Sequence, residues 1–123
     1  MWPEILLPET VAHQDGVGRV LEPDPNSQQW LLTLHITRIL EQESLELTVS
    51  GSPDQEHWLP LLKFPRKFYC GTYSHWLDLA SQPGVRYLRA EWKMSRLGPD
   101  ENGLLCAFSL SATPVKALHA GAV

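Results

Sequence analysis

The chain has 123 residues, of which 43% are hydrophobic and 20% are charged. This length is enough for one packed core, and the supply of large apolar side chains excludes a disordered chain. The net charge of -4 argues against non-specific binding to nucleic acid, and no apolar run is long enough to cross a bilayer. We therefore expect one soluble domain over residues 1–123, with neither a nucleic-acid nor a membrane partner.

The first residues and the cysteines indicate the compartment. The start Met-Trp-Pro-Glu lacks the basic and then apolar order of a signal peptide, so a cytoplasmic protein is expected. Cys70 and Cys106 are too few for a disulfide framework, and neither belongs to a close pair with metal-ligand spacing. We expect both cysteines to be reduced and buried.

Charge is divided unevenly along the chain. Ten acidic and two basic residues lie between Met1 and His57, whereas seven basic and two acidic residues lie between Lys63 and Arg96. Such a split suggests that oppositely charged surfaces face one another, either within one molecule or between neighbouring subunits. Contact within one molecule is the simpler expectation, because strands far apart in sequence commonly pair in β-sandwiches.

The first half of the chain predicts two weak and two strong strands. Residues 5–12 contain Pro8 and end at a turn, which favours an edge strand, and residues 17–21 precede a proline-rich loop. Apolar and polar residues alternate over 30–40 and again over 45–50, as in strands with one buried face. A brief helical turn over 38–44 is the alternative at their junction. We expect the two strong strands to be antiparallel neighbours.

In the second half of the chain, turn sequences mark where the predicted strands begin and end. Gly-Ser-Pro-Asp at 51–54 and Ser-Gln-Pro-Gly at 81–84 are turns, and Pro60 and Pro65 confine the segment between them to an edge or a bulge. Short strands over 67–73 and 76–79 follow. Residues 85–95 and 104–112 alternate clearly, and a polar loop joins them, so we expect a long hairpin. The residues predicted to face inward are Leu88, Ala90, Trp92, Cys106, Phe108 and Leu110.

These segments together predict the fold class. Seven or eight short strands separated by turns, with no convincing long amphipathic helix, indicate an all-β protein. The expected architecture is an antiparallel two-sheet β-sandwich of the jelly-roll kind. The tail from about residue 114 is expected to be flexible, as chain ends usually are.

Two stretches of the sequence resemble a known group of folds. The run from Leu45 to Asp54 continues to Trp58, and Arg86 to Trp92 supplies an arginine-aromatic-hydrophobic-arginine piece. Together they resemble discoidin-like, galactose-binding-like jelly rolls and short uncharacterised bacterial or phage-associated β-sandwich proteins. The resemblance covers about half of the chain and implies a fold more than a ligand. No ligand-binding loop of that group can be matched to positions here.

The densest aromatic stretch is the first candidate binding site. It contains Phe64, Phe68, Tyr69, Tyr73 and Trp76, with Arg66 and Lys67 beside them. Exposed rings could form a platform for the faces of sugars, because a ring offers apolar area and a negative face to C–H groups. The alternative is that the rings belong to the core. The ligand-binding residues predicted on the first reading are Tyr69, Tyr73, Trp76 and Arg66.

Catalytic and metal sites are not predicted. Cys70, His75 and Asp78 include the residue types of a thiol-dependent hydrolase, yet nothing around Cys70-Gly71 matches a catalytic signature. The histidines show no paired spacing, and the aspartates near turns are more typical of turn residues than of calcium ligands. We therefore expect no cofactor, no metal and no enzyme activity.

The resulting functional hypothesis is a non-catalytic β-sandwich that mediates protein–protein assembly, with protein subunits, its own copies or others, as partners. The absence of catalytic constellations and the charge split favour this hypothesis. A carbohydrate-binding module using the aromatic platform is the alternative, and a hydrolase at Cys70 is the second alternative.

Overall fold

A computed structural model describes residues 4–96 and 104–115 of the chain. Within these ranges the chain forms eight β-strands and one 3₁₀ helix, Leu79–Ser81. The strands are β1 (Glu4–Ala12), β2 (Gly16–Val17), β3 (Gln29–Ile39), β4 (Glu43–Ser52), β5 (Leu59–Lys67), β6 (Gly71–Asp78), β7 (Tyr87–Arg96) and β8 (Cys106–Pro114). The predicted loop at 98–103 and the tail beyond residue 115 lie outside the described residues.

The strands form two four-stranded antiparallel sheets. Sheet A has the order β1-β8-β3-β6, and sheet B has the order β2-β7-β4-β5. First and last strands pair, as do second and seventh, third and sixth, and fourth and fifth. This nested pairing is one long hairpin wrapped over itself, which is the connectivity of a jelly roll. The predicted all-β two-sheet fold class is confirmed.

Two predicted strand pairings are wrong. The strong strands at 30–40 and 45–50 were expected to be neighbours, but β3 lies in sheet A and β4 in sheet B. The expected hairpin of 85–95 with 104–112 fails in the same way, because β7 lies in sheet B and β8 in sheet A. Alternation shows which side of a strand faces the core. It does not show which strands are hydrogen-bonded neighbours, because two strands with matching buried sides can lie in one sheet or in opposite sheets. The junction of β3 and β4 is a tight turn with Gln42 at a φ of 65°, and no helix forms there.

The core lies between the sheets and follows the predicted alternation. Leu32, Leu34 and Ile36 of β3 are buried, as are the inward residues predicted for β7 and β8. Trp92 of sheet B and Phe108 of sheet A meet edge to face across the core, with ring centroids 5.4 Å apart. Residues of both sheets therefore share one buried cluster.

Two ion pairs join the acidic and basic parts of the chain within one molecule. Glu46 from the acidic part of the chain lies 2.8 Å from Lys63 Nζ of the basic part, and Glu22 lies 3.8 Å from Arg86. The hydrogen bond from Lys63 is the main cause that lowers the pKa of Glu46. The expectation of contact within one molecule is thus confirmed for these pairs.

The two cysteines differ. Both are free, as expected, but only Cys106 is buried, whereas Cys70 is exposed between β5 and β6. Burial raises the pKa of the Cys106 thiol to about 12. The prediction that both are buried is wrong for Cys70, because the chain leaves sheet B there and crosses to sheet A.

Candidate functional site: two contrasting sheet faces

The structure separates the residues of the predicted aromatic platform. Tyr69 is 77% exposed and lies between β5 and β6, while Trp76 is 59% exposed on β6. Tyr73 is three residues before Trp76 on the same strand and points to the opposite side of sheet A. Lys67 Nζ lies 4.5 Å from the centroid of the Tyr73 ring, and the Tyr73 hydroxyl donates to the Tyr69 carbonyl at 2.7 Å. Arg66 is exposed on β5. Tyr69, Tyr73 and Trp76 therefore do not form one flat surface.

The His75 and Asp78 side chains, considered above for a thiol hydrolase, make hydrogen-bonding contacts with backbone groups. His75 Nδ1 lies 3.2 Å from the carbonyl oxygen of Trp76, and the Asp78 carboxylate accepts from the Ala80 backbone N–H at 2.9 Å. Asp78 thereby caps the 3₁₀ helix. Neither of these contacts involves Cys70.

One group of possible metal ligands does come together. Ligand atoms of Asp54, Glu56 and His57 lie within 4.8 Å of one another in the exposed turn after β4. The Asp54 carboxylate accepts from the backbone N–H groups of His57 and Glu56, and His57 Nδ1 lies 2.7 Å from Asp54 Oδ2. These hydrogen bonds, led by the His57 backbone N–H, hold the pKa of Asp54 well below its ordinary value. The arrangement stabilises a turn, as the sequence predicts for Asp54.

The outer face of sheet A carries an ordered set of uncharged side chains. Residues directly paired in an antiparallel sheet point to the same side, so three cross-strand rows share this face. The rows, each from β8 through β3 to β6, are Thr113–Leu31–Trp76, Ser111–Thr33–Ser74 and Ser109–His35–Thr72. We call these residues the hydroxyl face.

The hydroxyl face has a uniform chemistry. Serine and threonine supply six of its nine side chains, and none of the nine is Asp, Glu, Lys or Arg. Thr33 Oγ1 lies 3.3 Å from Ser74 Oγ, and His35 Nδ1 lies 2.9 Å from Thr72 Oγ1. Beside these short, linked side chains the Trp76 side chain is 59% exposed. Individual strand patterns predict that β3 and β8 have polar outer sides, but only the pairing reveals the continuous surface.

The outer face of sheet B, in contrast to the hydroxyl face, carries many charged side chains. Glu46 pairs with Lys93 across β4 and β7, and Lys63 and Glu91 flank Thr48. Arg89 stacks over Trp58, with its guanidinium carbon 4.1 Å from the ring centroid. These side chains line a groove in which opposite charges neutralise one another. We call this surface the charged face.

Comparison with known proteins supports the fold alone. No protein-family model matches the chain, and none of the curated proteins matches it. Among solved structures, the SPBc2 prophage-derived protein YomS matches with a TM-score of 0.52 and 10% sequence identity. The match covers 92% of this chain and 96% of that chain. In the described part of the chain, no helix has the length and apolar character needed to cross a membrane. The chain is thus similar in fold to this prophage-derived protein.

Proposed function

We propose that this chain is a non-catalytic structural module of the cytoplasm that assembles with copies of itself through the hydroxyl face. The observation that carries the proposal is the absence of charged residues from the three rows of this face, which end at Asp78 on one side and at Thr37, bonded to Glu9, on the other, in a chain with a net charge of -4. Identical subunits repel one another wherever like charges meet. The centres of protein interfaces are depleted of charged residues, and this face contains none, while Trp76 offers an exposed aromatic ring.

Hydroxyl groups favour a second copy as the partner. A serine or threonine hydroxyl both donates and accepts a hydrogen bond, so a row such as Ser111–Thr33–Ser74 can bond to its own copy. A carboxylate or an ammonium group cannot do so. Small side chains also allow two sheets to approach face to face. The lack of charged residues and the hydrogen-bonding capacity of the hydroxyls both support a second copy as the partner of the hydroxyl face.

Ser111→Lys tests this proposal. Ser111 is the β8 residue of the middle row of the face, and its replacement brings two ammonium groups into the contact between two copies. Burial of these like charges is expected to cost about 3 kcal/mol, or about 100-fold in the dissociation constant. Light scattering coupled to size-exclusion chromatography should show the wild-type chain assembling at high concentration and the variant losing that contact.

Thr48→Lys is the matched control, because it adds the same charge to the charged face of sheet B. Its assembly should equal that of the wild type. A wild-type chain that stays at 13.9 kDa at every concentration would overturn the proposal, as would equal effects of the two lysine variants.

Carbohydrate binding is a second candidate, favoured by the exposure of Trp76 and Tyr69 and by the discoidin-like resemblance. A single ring stacked on a sugar contributes about 1.5 kcal/mol, so Trp76→Ala should weaken binding about tenfold. A glycan array probed with both proteins provides the measurement. The wild-type chain binding no glycan, or Trp76→Ala binding equally well, would remove this candidate.

A further inference from the structure

The four outermost strands of the two sheets differ in how well their free edges are protected. Natural proteins block edges with prolines, bulges, charges or short strands, since an open edge pairs with other chains. β1 contains Pro8 and two register shifts, and β5 contains Pro60, Pro65 and two register shifts. β2 has only two residues. These three edges are therefore poor templates for another strand.

β6 has none of these protections. It pairs with β3 through eight consecutive residue pairs without a register shift. Its sequence, Gly-Thr-Tyr-Ser-His-Trp-Leu-Asp, contains no proline and no lysine, and its only acidic residue is at the end. β6 is also the last strand of sheet A in the described part of the chain. Its outer side is a straight, nearly uncharged backbone edge.

The register identifies which backbone groups point to that edge. The Leu79 N–H donates to the Gln28 carbonyl at 2.6 Å, which continues the β3–β6 ladder by one pair. In an antiparallel ladder the residues that bond to the neighbour alternate along each strand. The residues of β6 whose N–H and C=O groups point away from β3 are therefore Thr72, Ser74, Trp76 and Asp78, and the Asp78 carbonyl already accepts from Ser81 Oγ at 2.9 Å. The side chains of Thr72, Ser74 and Trp76 belong to the hydroxyl face, so edge and face adjoin.

We propose that β6 pairs antiparallel with β6 of a second copy, centred on Ser74, which joins two copies of sheet A into one eight-stranded sheet. This inference rests on the proposed self-assembly but uses a different surface. Centring on Ser74 places Ser74 opposite its own copy and Thr72 opposite Trp76 of the other subunit. Each of these pairs can exchange two backbone hydrogen bonds, and the two-fold arrangement is closed.

A second copy is favoured over another extended segment by charge and by register. The paired portion from Thr72 to Trp76 contains no Asp, Glu, Lys or Arg, so two negatively charged molecules meet there without repulsion between like charges. In both copies the backbone N–H and C=O groups of Thr72, Ser74 and Trp76 point away from β3, so they face one another across the proposed contact. The Trp76 carbonyl, which His75 Nδ1 approaches to 3.2 Å, keeps a second lone pair for the new bond.

Ser74→Pro tests the edge without touching the β3–β6 ladder. Proline removes the outward N–H of residue 74 and is tolerated on edge strands. Ser74→Ala is the matched control, because it retains that N–H and removes only the hydroxyl. Light scattering of the wild type should show four copies, two edge-paired dimers stacked through their hydroxyl faces. We expect Ser74→Pro to halve this mass. In the Ser111→Lys background, where the hydroxyl face no longer pairs, Ser74→Ala should remain an edge-paired dimer because it keeps the outward N–H.

Combination with Ser111→Lys separates the two interfaces. Ser111→Lys alone should leave edge-paired dimers, and the double variant should be a monomer. A Ser74→Pro chain that assembles like the wild type would overturn the edge pairing while leaving the proposed function intact. Ser111→Lys without effect, beside a Ser74→Pro that halves the mass, would overturn the proposed function alone. A monomeric wild type overturns both.

Cysteine cross-linking checks the register independently of mass. Paired residues of this type have Cα atoms about 5.5 Å apart, within the range of a disulfide. In a Cys70→Ser background, Ser74→Cys should therefore form a covalent dimer under mild oxidation. Thr72→Cys is the control, since its copy would lie about 13 Å away along the strand. Cross-linking of Thr72→Cys as fast as Ser74→Cys, or of neither, would contradict the proposed register.

Discussion

Replacement of Phe108 with alanine is expected to lower the free energy of unfolding by about 3–5 kcal/mol. Phe108 is fully buried in β8, and its ring meets Trp92 of the other sheet at an interplanar angle of 74°. Alanine removes buried apolar area and the edge-to-face contact between the sheets, and a close-packed core collapses only partly around the cavity. Urea denaturation followed by circular dichroism measures the loss.

Ser109→Ala is the matched control for this prediction. Ser109 is the next residue of the same strand and points to the outer face of sheet A. Its replacement should change the free energy of unfolding by less than about 0.5 kcal/mol, as is usual for surface positions. Similar losses in the two variants would contradict the assignment of inner and outer sides to β8.

The second large effect is expected at Gly16, which lies against the ring of Trp92. A Cβ atom at Gly16 would lie 2.4 Å from Trp92 Cζ2 and 2.8 Å from Cε2. The ring cannot easily move aside, because its N–H donates to the Gln14 carbonyl at 3.0 Å and its other contacts include Phe108. Gly16→Ala should therefore destabilise the protein by about 1–3 kcal/mol, the usual cost of overpacking. Urea denaturation of the variant and the wild type provides the comparison.

Gly18→Ala controls for the loss of a glycine in the same segment. The nearest atom to a Cβ at Gly18 is Leu7 Cδ1 at 3.1 Å, the end of a flexible side chain that can adjust. Both substitutions restrict the unfolded chain alike, so their difference reports the contact with Trp92. A Gly18→Ala variant as unstable as Gly16→Ala would show that the indole does not limit this site.

The inner side of each long strand could be predicted from the sequence, because burial imposes a period of two on a strand. Leu34, Leu47, Leu88 and Phe108 all face the core as the alternation indicates. Partner strands could not be predicted in the same way. β3 and β4 have matching patterns, yet they lie in different sheets, since a buried side needs only apolar contact and the tight turn at Gln42 allows the chain to change sheets.

The hydroxyl face illustrates the same limit at the candidate site. The alternation over 30–40 correctly indicates that this strand has a polar outer side, which in the structure includes His35. Thr72 and Ser74 of β6 lie beside β3 because two segments about 40 residues apart pair with each other. No local pattern encodes such a pairing. The predicted platform was chosen for its aromatic residues, Tyr69, Tyr73 and Trp76. The hydroxyl face is distinguished instead by its lack of charged residues.

The burial of one carboxylate also could not be predicted from the sequence pattern. Glu43 begins β4 and is fully buried, and its Oε2 accepts from the Leu105 backbone N–H at 2.7 Å. A charged residue at a strand end is ordinarily exposed. Its burial follows from the meeting of β4 with the segment that leads into β8, two parts of the chain far apart in sequence.

The position of β8 between β1 and β3 determines when this protein can fold during its synthesis. β8 is the last of the eight strands to leave the ribosome, and until then β1 has no neighbour in sheet A. Sheet A, and with it the core that it shares with sheet B, is therefore completed only when β8 has been made, so the apolar sides of the early strands remain open to other chains until that stage of synthesis.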